Sequence, residues 1–285
     1  MQLNNITRIA CGLFCAALSS PAFSAGFSLE MKDLPELPAL PEARPAAARD
    51  WTVMYFVNGK NNLESYAMID VNNMELAGST ARVAITAEVG RMNGQPEGDD
   101  HSEGDWTGVR RYLITKDADA SRIASPVLQN LGKADMGSWK ELVAFINWSK
   151  ANFPARRYAL VLWDHGNGWK PVDPANAYDF NNLKGFSLDE ETGHEFSTLQ
   201  MAAALKAAGG VNFLLLDGCN MAMASVAYEV KDYAEALTAS EETEPGMLVR
   251  YANFLGMLNA KPSMGAEEFA VNTVRTYRDY FVNSG

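Results

Sequence analysis

Short apolar runs rich in β-branched and aromatic side chains recur along the chain at residues 51–57, 82–89, 110–115, 158–163, 211–216 and 235–240. In runs such as WTVMYFV and YALVLW the hydrophobicity is nearly continuous, which fits strands buried on both faces rather than strands with one wet face. Amphipathic helical stretches are expected at 63–76, 138–153, 197–208, 221–233, 247–258 and 266–281. Strands alternating with such helices predict an α/β fold, a three-layer α/β/α sandwich around a mostly parallel sheet. The more polar 110–115 is expected at an edge or as a hairpin arm. The Gly- and acid-rich 92–106 and the segment 169–189, with Pro171, Pro174 and Asn181-Asn182, read as surface loops. In an open α/β sheet the site lies beyond the carboxyl ends of the strands, so the residues that follow each strand are the place to look for chemistry.

Ahead of the first strand, Arg8 precedes an apolar run from Ile9 to Leu18, with Pro21 as a breaker and Ala22-Phe23-Ser24 after it. This predicts a secretory signal over 1–24, cut after Ser24, and a secreted or periplasmic protein. The run is shorter than the ~20 apolar residues of a membrane span, so no membrane association is expected after cleavage. Residues 25–50 carry Pro35, Pro38, Pro41 and Pro45 and read as a Pro-rich linker or propeptide. That leaves 51–285 as the folded domain. A composition of 47% hydrophobic and 21% charged residues excludes both general disorder and a multi-span membrane protein. Thirty-five Asp and Glu against 24 Lys and Arg give a net charge of -11, which disfavours nucleic acid as a partner. Signal removal takes Cys11 and Cys15 with it, so Cys219 remains as a lone thiol that is buried, paired with another chain, or reactive.

Two strand ends carry candidate chemistry. YALVLW runs into Asp164-His165-Gly166-Asn167-Gly168, and NFLLL runs into Asp217-Gly218-Cys219-Asn220. If these strands are parallel neighbours, His165 and Cys219 emerge at one sheet edge as base and nucleophile. A helix beginning at Met221 would turn its amide end toward the sulfur. Gly166 and Gly218 would let a peptide approach the backbone, and the N–H groups of Gly166 and Cys219 would form an oxyanion hole. Either residue alone is more simply a structural histidine or a buried thiol. Their joint placement after two apolar strands, His 54 residues before Cys, favours catalysis and follows the caspase order, although the caspase signature around the cysteine is absent. No G-x-S-x-G elbow or phosphate-binding loop is present. The cluster Asp99, Asp100, His101, Glu103 and Asp105 offers oxygen ligands for Ca2+ without EF-hand spacing, and reads otherwise as a solvated acidic loop. His194 with Glu190, Glu191 and Glu195 lacks an HExxH pattern and reads as polar surface.

The His and Cys blocks, together with WTVMYFVNGKNNLE, GFSLDEETGHEFSTLQMAAAL and ALTASEETEPG, resemble the clostripain family of cysteine peptidases. The resemblance implies a caspase-like fold and a secreted cysteine endopeptidase that hydrolyses peptide bonds after Arg or Lys through a thioester acyl-enzyme. It implies His165 and Cys219 as the dyad and Asp217 as the acid that holds the basic P1 side chain, with Glu241 and Glu242 as candidates for further acids. It implies no required cofactor, with Ca2+ as an option, and partners that are proteins or peptides with Arg or Lys at P1. Self-processing is also implied. Lys184, followed by Gly185, is the preferred bond; Lys170, followed by Pro171, and Arg44 and Arg49 in the linker are others. The chain stops at Gly285, soon after a helical stretch, which suggests a truncated or minimal member. Two other readings stand beside this one: a truncated module that only binds basic peptides, and an enzyme that passes the acyl group to an amine.

Overall fold

The computed structural model describes residues 49–95, 99–168, 185–245 and 251–283, all within one compact unit. The expected signal, most of the linker, Arg44, Lys170 and Lys184 lie outside the described residues. Strand β1 (Arg49–Gly59) is the axis of the molecule. Its Trp51, Val53, Tyr55 and Val57 belong to one core and Met54 and Phe56 to the other, all fully buried, as the two-residue period of a strand with no wet face requires. Each such side chain contributes roughly 1.5–3 kcal/mol of transfer free energy.

Parallel strands flank β1 on both sides: β2 (Val83–Arg91) and β5 (Ala155–Trp163). Beyond β5 follow β8 (Val211–Asp217) and β9 (Ala234–Ala239), again parallel. Beyond β2 the chain turns back on itself, and β3 (Gly108–Leu113) and β4 (Val127–Gly132) pair antiparallel. The sheet order is β4-β3-β2-β1-β5-β8-β9. Helices α1 (Glu64–Glu75), α5 (Tyr251–Ala260) and α6 (Ala266–Asn283) cover the face that carries Trp51 and Tyr55. Helices α2 (Trp139–Asn152), α3 (Thr198–Ala207) and α4 (Ala224–Val230) cover the other. In α1 the apolar Ala67, Val71 and Met74 recur at intervals of four and three and face the core. A capping box starts α3: Gln200 N–H donates to Ser197 Oγ (3.2 Å) and Ser197 N–H to Gln200 Oε1 (2.8 Å). The three-layer architecture is the expected one.

The polar segment at 110–115 is a hairpin arm, one of the two places expected for it, and lies one strand in from the edge. Its polarity arises because Arg111 bridges the buried Glu88 (2.5 Å) and Glu141 (3.0 Å). Burial pushes Glu88 up to about 8 while the guanidinium pulls it back. Other elements differ from the sequence expectation. The edge strand is β4, whose VLQNLG lies mostly exposed and carries no alternation. The expected loop at 169–189 ends in a strand, β6 (Phe186–Asp189), which pairs with β7 (His194–Phe196) in a separate hairpin. Fully buried Lys60, just past β1, holds that hairpin: its Nζ lies 2.8 Å from the Asp189 carboxylate, 2.8 Å from Glu191 and 2.9 Å from Ala134 O. Among the described residues, no helix is long and apolar enough to cross a membrane.

Candidate active site

Strands β5 and β8 are parallel neighbours in which Trp163 pairs with Asp217. Asp164 N–H donates to Asp217 O (3.3 Å) as the strands end. His165 and Cys219 therefore each stand two residues past the same rung, on adjacent loops at one edge of the sheet. The glycines beside them are what let these loops meet. A Cβ on Gly218 would lie 2.6 Å from Asp164 O and 2.6 Å from the Phe186 ring, and one on Gly166 would lie 2.5 Å from Cys219 O. Space expected for a peptide is thus taken by the neighbouring loop, and the close approach that glycine allows is between the two halves of the site.

His165 follows Asp164, a buried carboxylate surrounded by donors. Asn58 Nδ2 (3.0 Å), Asn61 Nδ2 (2.7 Å) and the His165 amide (2.6 Å) all donate to it. Burial nevertheless holds its carboxyl well above the usual range, against the pull of these donors. The imidazole itself is exposed, and its Nε2 lies 2.7 Å from Asn62 Oδ1. Partial desolvation lowers its pKa from the ordinary value, opposed by the negative charge of Glu190, and so favours the neutral ring, the form that can accept a proton.

Cys219 is half-buried. Its Sγ accepts the Glu244 N–H (3.3 Å) and lies 3.9 Å from Glu244 O as a donor. The expected helix amide end is not its neighbour. α4 begins at Ala224, and the residues between form a turn in which Asn220 takes φ +60°, a conformation Asn adopts more readily than most residues. That turn is pinned to the segment after β9 by Asn220 N–H to Glu242 O (3.0 Å) and Ala222 N–H to Ser240 O (2.8 Å).

Glu244, whose amide meets the sulfur, also lines a cavity of about 120 Å³ together with Asp217, Leu215, Phe254, Val274 and Tyr277, among others. Asp217 is buried and receives the Tyr251 hydroxyl as a donor. Desolvation raises its pKa and the hydroxyl lowers it. Glu244 is pushed up to about 9, first by burial and then by the charge of Asp217, while the Gly218 amide pulls it down. Its Oε2 is buried with no hydrogen-bond partner among the described residues. Two carboxyls, one of them with an unsatisfied oxygen, lining one cavity suit a cationic side chain. Glu241 and Glu242 are exposed and do not line it. Glu244, two positions on, takes the place expected for them.

The described carboxylates of the acidic loop are engaged by protein donors. Asp99 accepts the amides of Gly94 and Gln95, Asp100 accepts Ser102 N–H and Oγ, Glu103 accepts Ile123 N–H, and Asp105 pairs with His101. His194 pairs with Asp135 (2.7 Å), and Glu191 pairs with Lys60 and Lys133. Among the described residues no three His, Cys, Asp or Glu side chains are placed to hold a metal ion. Asn62, Glu244 and Tyr251 are the site residues that sequence reasoning missed. Asn62 and Glu244 both lie inside the blocks that carry the family resemblance, but only the turns after β1 and β9 give their direction.

Comparison with known proteins gives the family and the fold. The sequence profile described as the clostripain family matches residues 55–285. Clostripain from Hathewaya histolytica is 25% identical over 229 residues, covering 73% of this chain and 42% of that protein. A secreted C11 cysteine protease from Bacteroides thetaiotaomicron, solved with an irreversible peptide inhibitor, superposes with a TM-score of 0.64 at 20% identity, over 82% of this chain and 59% of that one. An inactive zymogen C11 protease from Parabacteroides distasonis gives 0.61 at 20% identity, with the same two coverages. The chain thus spans less than two thirds of the length of each of these relatives, and the caspase-like fold is common to them.

Proposed function

The chain belongs to the clostripain family, and on that premise we propose that it is a secreted cysteine endopeptidase that cleaves after Arg or Lys. Cys219 is the nucleophile and His165 the base. The observation that supports this reading is the pairing of Trp163 with Asp217 on parallel strands, with His165 and Cys219 each two residues past that rung and Asp217 lining an acidic cavity.

In the reaction, the neutral His165 ring takes the thiol proton as Sγ bonds to the carbonyl carbon of the P1 residue. The developing oxyanion is assigned to the N–H groups of Gly166 and Cys219. Collapse breaks the C–N bond, the leaving amine takes the proton from His165, and a thioester remains. Water, deprotonated by the same ring, then releases the acid and restores the thiol. The P1 guanidinium or ammonium sits against Asp217 and Glu244. An uncharged P1 offers these carboxyls no counter-charge, which gives the selectivity.

The signal over 1–24 directs export, and a cut after Lys184 accompanies activation. The test is to incubate the mature protein with fluorogenic peptides ending in Arg or in Ala, with and without a thiol alkylator. Alkylator-sensitive release from the Arg peptide alone is expected. Equal release from both peptides contradicts the basic P1 assignment, and binding of the Arg peptide without product indicates a module that binds but does not cleave.

A further inference from the structure

We propose that Asn62 is a positioning residue that fixes the tautomer and orientation of the His165 imidazole, an inference that rests on the His165 and Cys219 reading above. The contact is Asn62 Oδ1 to His165 Nε2, 2.7 Å. A carbonyl oxygen can only accept, so Nε2 carries the hydrogen. In the neutral ring the lone pair then resides on Nδ1, and Nδ1 is the atom that takes the Cys219 proton.

The turn after β1 is built to deliver this contact. Asn61 Nδ2 donates to Asp164 Oδ1 (2.7 Å) and Leu188 O (2.9 Å). Asn58 Nδ2 donates to Asp164 Oδ2 (3.0 Å) and Ser187 Oγ (3.1 Å). Asn61 Oδ1 in turn accepts Leu63 N–H (2.9 Å), so the residues on either side of Asn62 are held. The same Asp164 carboxylate accepts the His165 amide (2.6 Å). One buried group therefore anchors both the backbone of the base and the turn that carries its partner. An uncharged partner orients the ring and favours its protonated form less than a carboxylate would, while partial desolvation lowers the pKa of His165. The titratable group whose charge acts on the ring is Glu190, from the turn between β6 and β7.

Two readouts on the full chain test this. The first needs no turnover. In a Cys219→Ala background, ring-nitrogen NMR of His165, assigned against His165→Ala, should show the hydrogen on Nε2. Asn62→Asp should raise the His165 pKa by about one unit or more, as a carboxylate beside an imidazole does. A hydrogen on Nδ1, or an unmoved pKa in Asn62→Asp, overturns the proposal. The second is kinetic. Asn62→Ala should lower kcat by about 10- to 100-fold, the scale of a misoriented catalytic group, with KM changed less than about 2-fold. Asn62→Asp keeps the acceptor oxygen and should restore most of kcat, with the acid limb of the pH profile moved upward. If Asn62→Ala keeps full kcat while His165→Ala is inactive, Asn62 has no such role and the dyad stands. Full activity in His165→Ala would remove the dyad and this inference together.

Discussion

Asp217 and Glu244 share one buried pocket, and desolvation lifts both carboxyls above the usual range. A guanidinium placed against them would lower both, so binding a basic ligand should expel a proton. The sign follows from the raised state being the free one: affinity improves as pH rises toward about 9, where free Glu244 ionises. The dissociation constant of benzamidine, measured by calorimetry from pH 6 to 9, should tighten by up to about 10-fold per pH unit, with a buffer-dependent enthalpy that reports proton release. A pH-independent constant would place the cation elsewhere. Asp217→Asn should cost on the order of 2–5 kcal/mol in kcat/KM for Arg peptides, the scale for breaking a buried charge pair, and little for Ala peptides. Asp217 was reached only through the family resemblance, which implies an acid two residues before the cysteine. Glu244 was not: three glutamates crowd residues 241–244, and only the fold after β9 turns one of them inward.

Most strands and helices were legible because burial on both faces leaves continuous apolar runs, and this holds for β1, β2, β5 and β8. The missed elements are those whose stability comes from partners rather than pattern. β4 is an exposed edge, and β6 and β7 are short strands locked by the buried Lys60 and Asp189 pair. Lys60→Ala should destabilise the protein by about 3–5 kcal/mol because Asp189 is left as an uncompensated buried charge, read as a shift in the denaturation midpoint. Lys60→Met combined with Asp189→Leu should recover much of that loss, and an unchanged midpoint in the single variant would show that the pair carries no such weight. The start of α4 was placed too early because Met221 and Met223 continue an apolar pattern through a turn. The loop junction offers a sharper check. Gly218→Ala drives a methyl into Asp164 O and Phe186, so a stability loss of about 1–3 kcal/mol should accompany loss of Arg-peptide cleavage. A variant that keeps both would show that the loops need not touch.

At the scale of the whole molecule, β5 and β8 are sheet neighbours although residues 164–210 separate them in sequence. A cut after Lys184 would leave β1 to β5 on one fragment and β8 and β9 on the other, joined by the ladder between Ala159–Trp163 and Phe213–Asp217. Active preparations should therefore show two fragments by denaturing mass analysis and one species by native mass analysis, while Cys219→Ala stays intact. An uncut, fully active protein would show that this loop needs no processing. The claim on which all of this depends is that Cys219 attacks the carbonyl carbon of a basic P1 residue. Its most direct test is covalent trapping with a peptidyl ketone electrophile bearing Arg at P1, followed by intact-mass measurement and peptide mapping. A single adduct on Cys219, formed far more slowly with Ala at P1 and in Asp217→Asn, is the predicted result; no adduct, or equal labelling with both peptides, would contradict it.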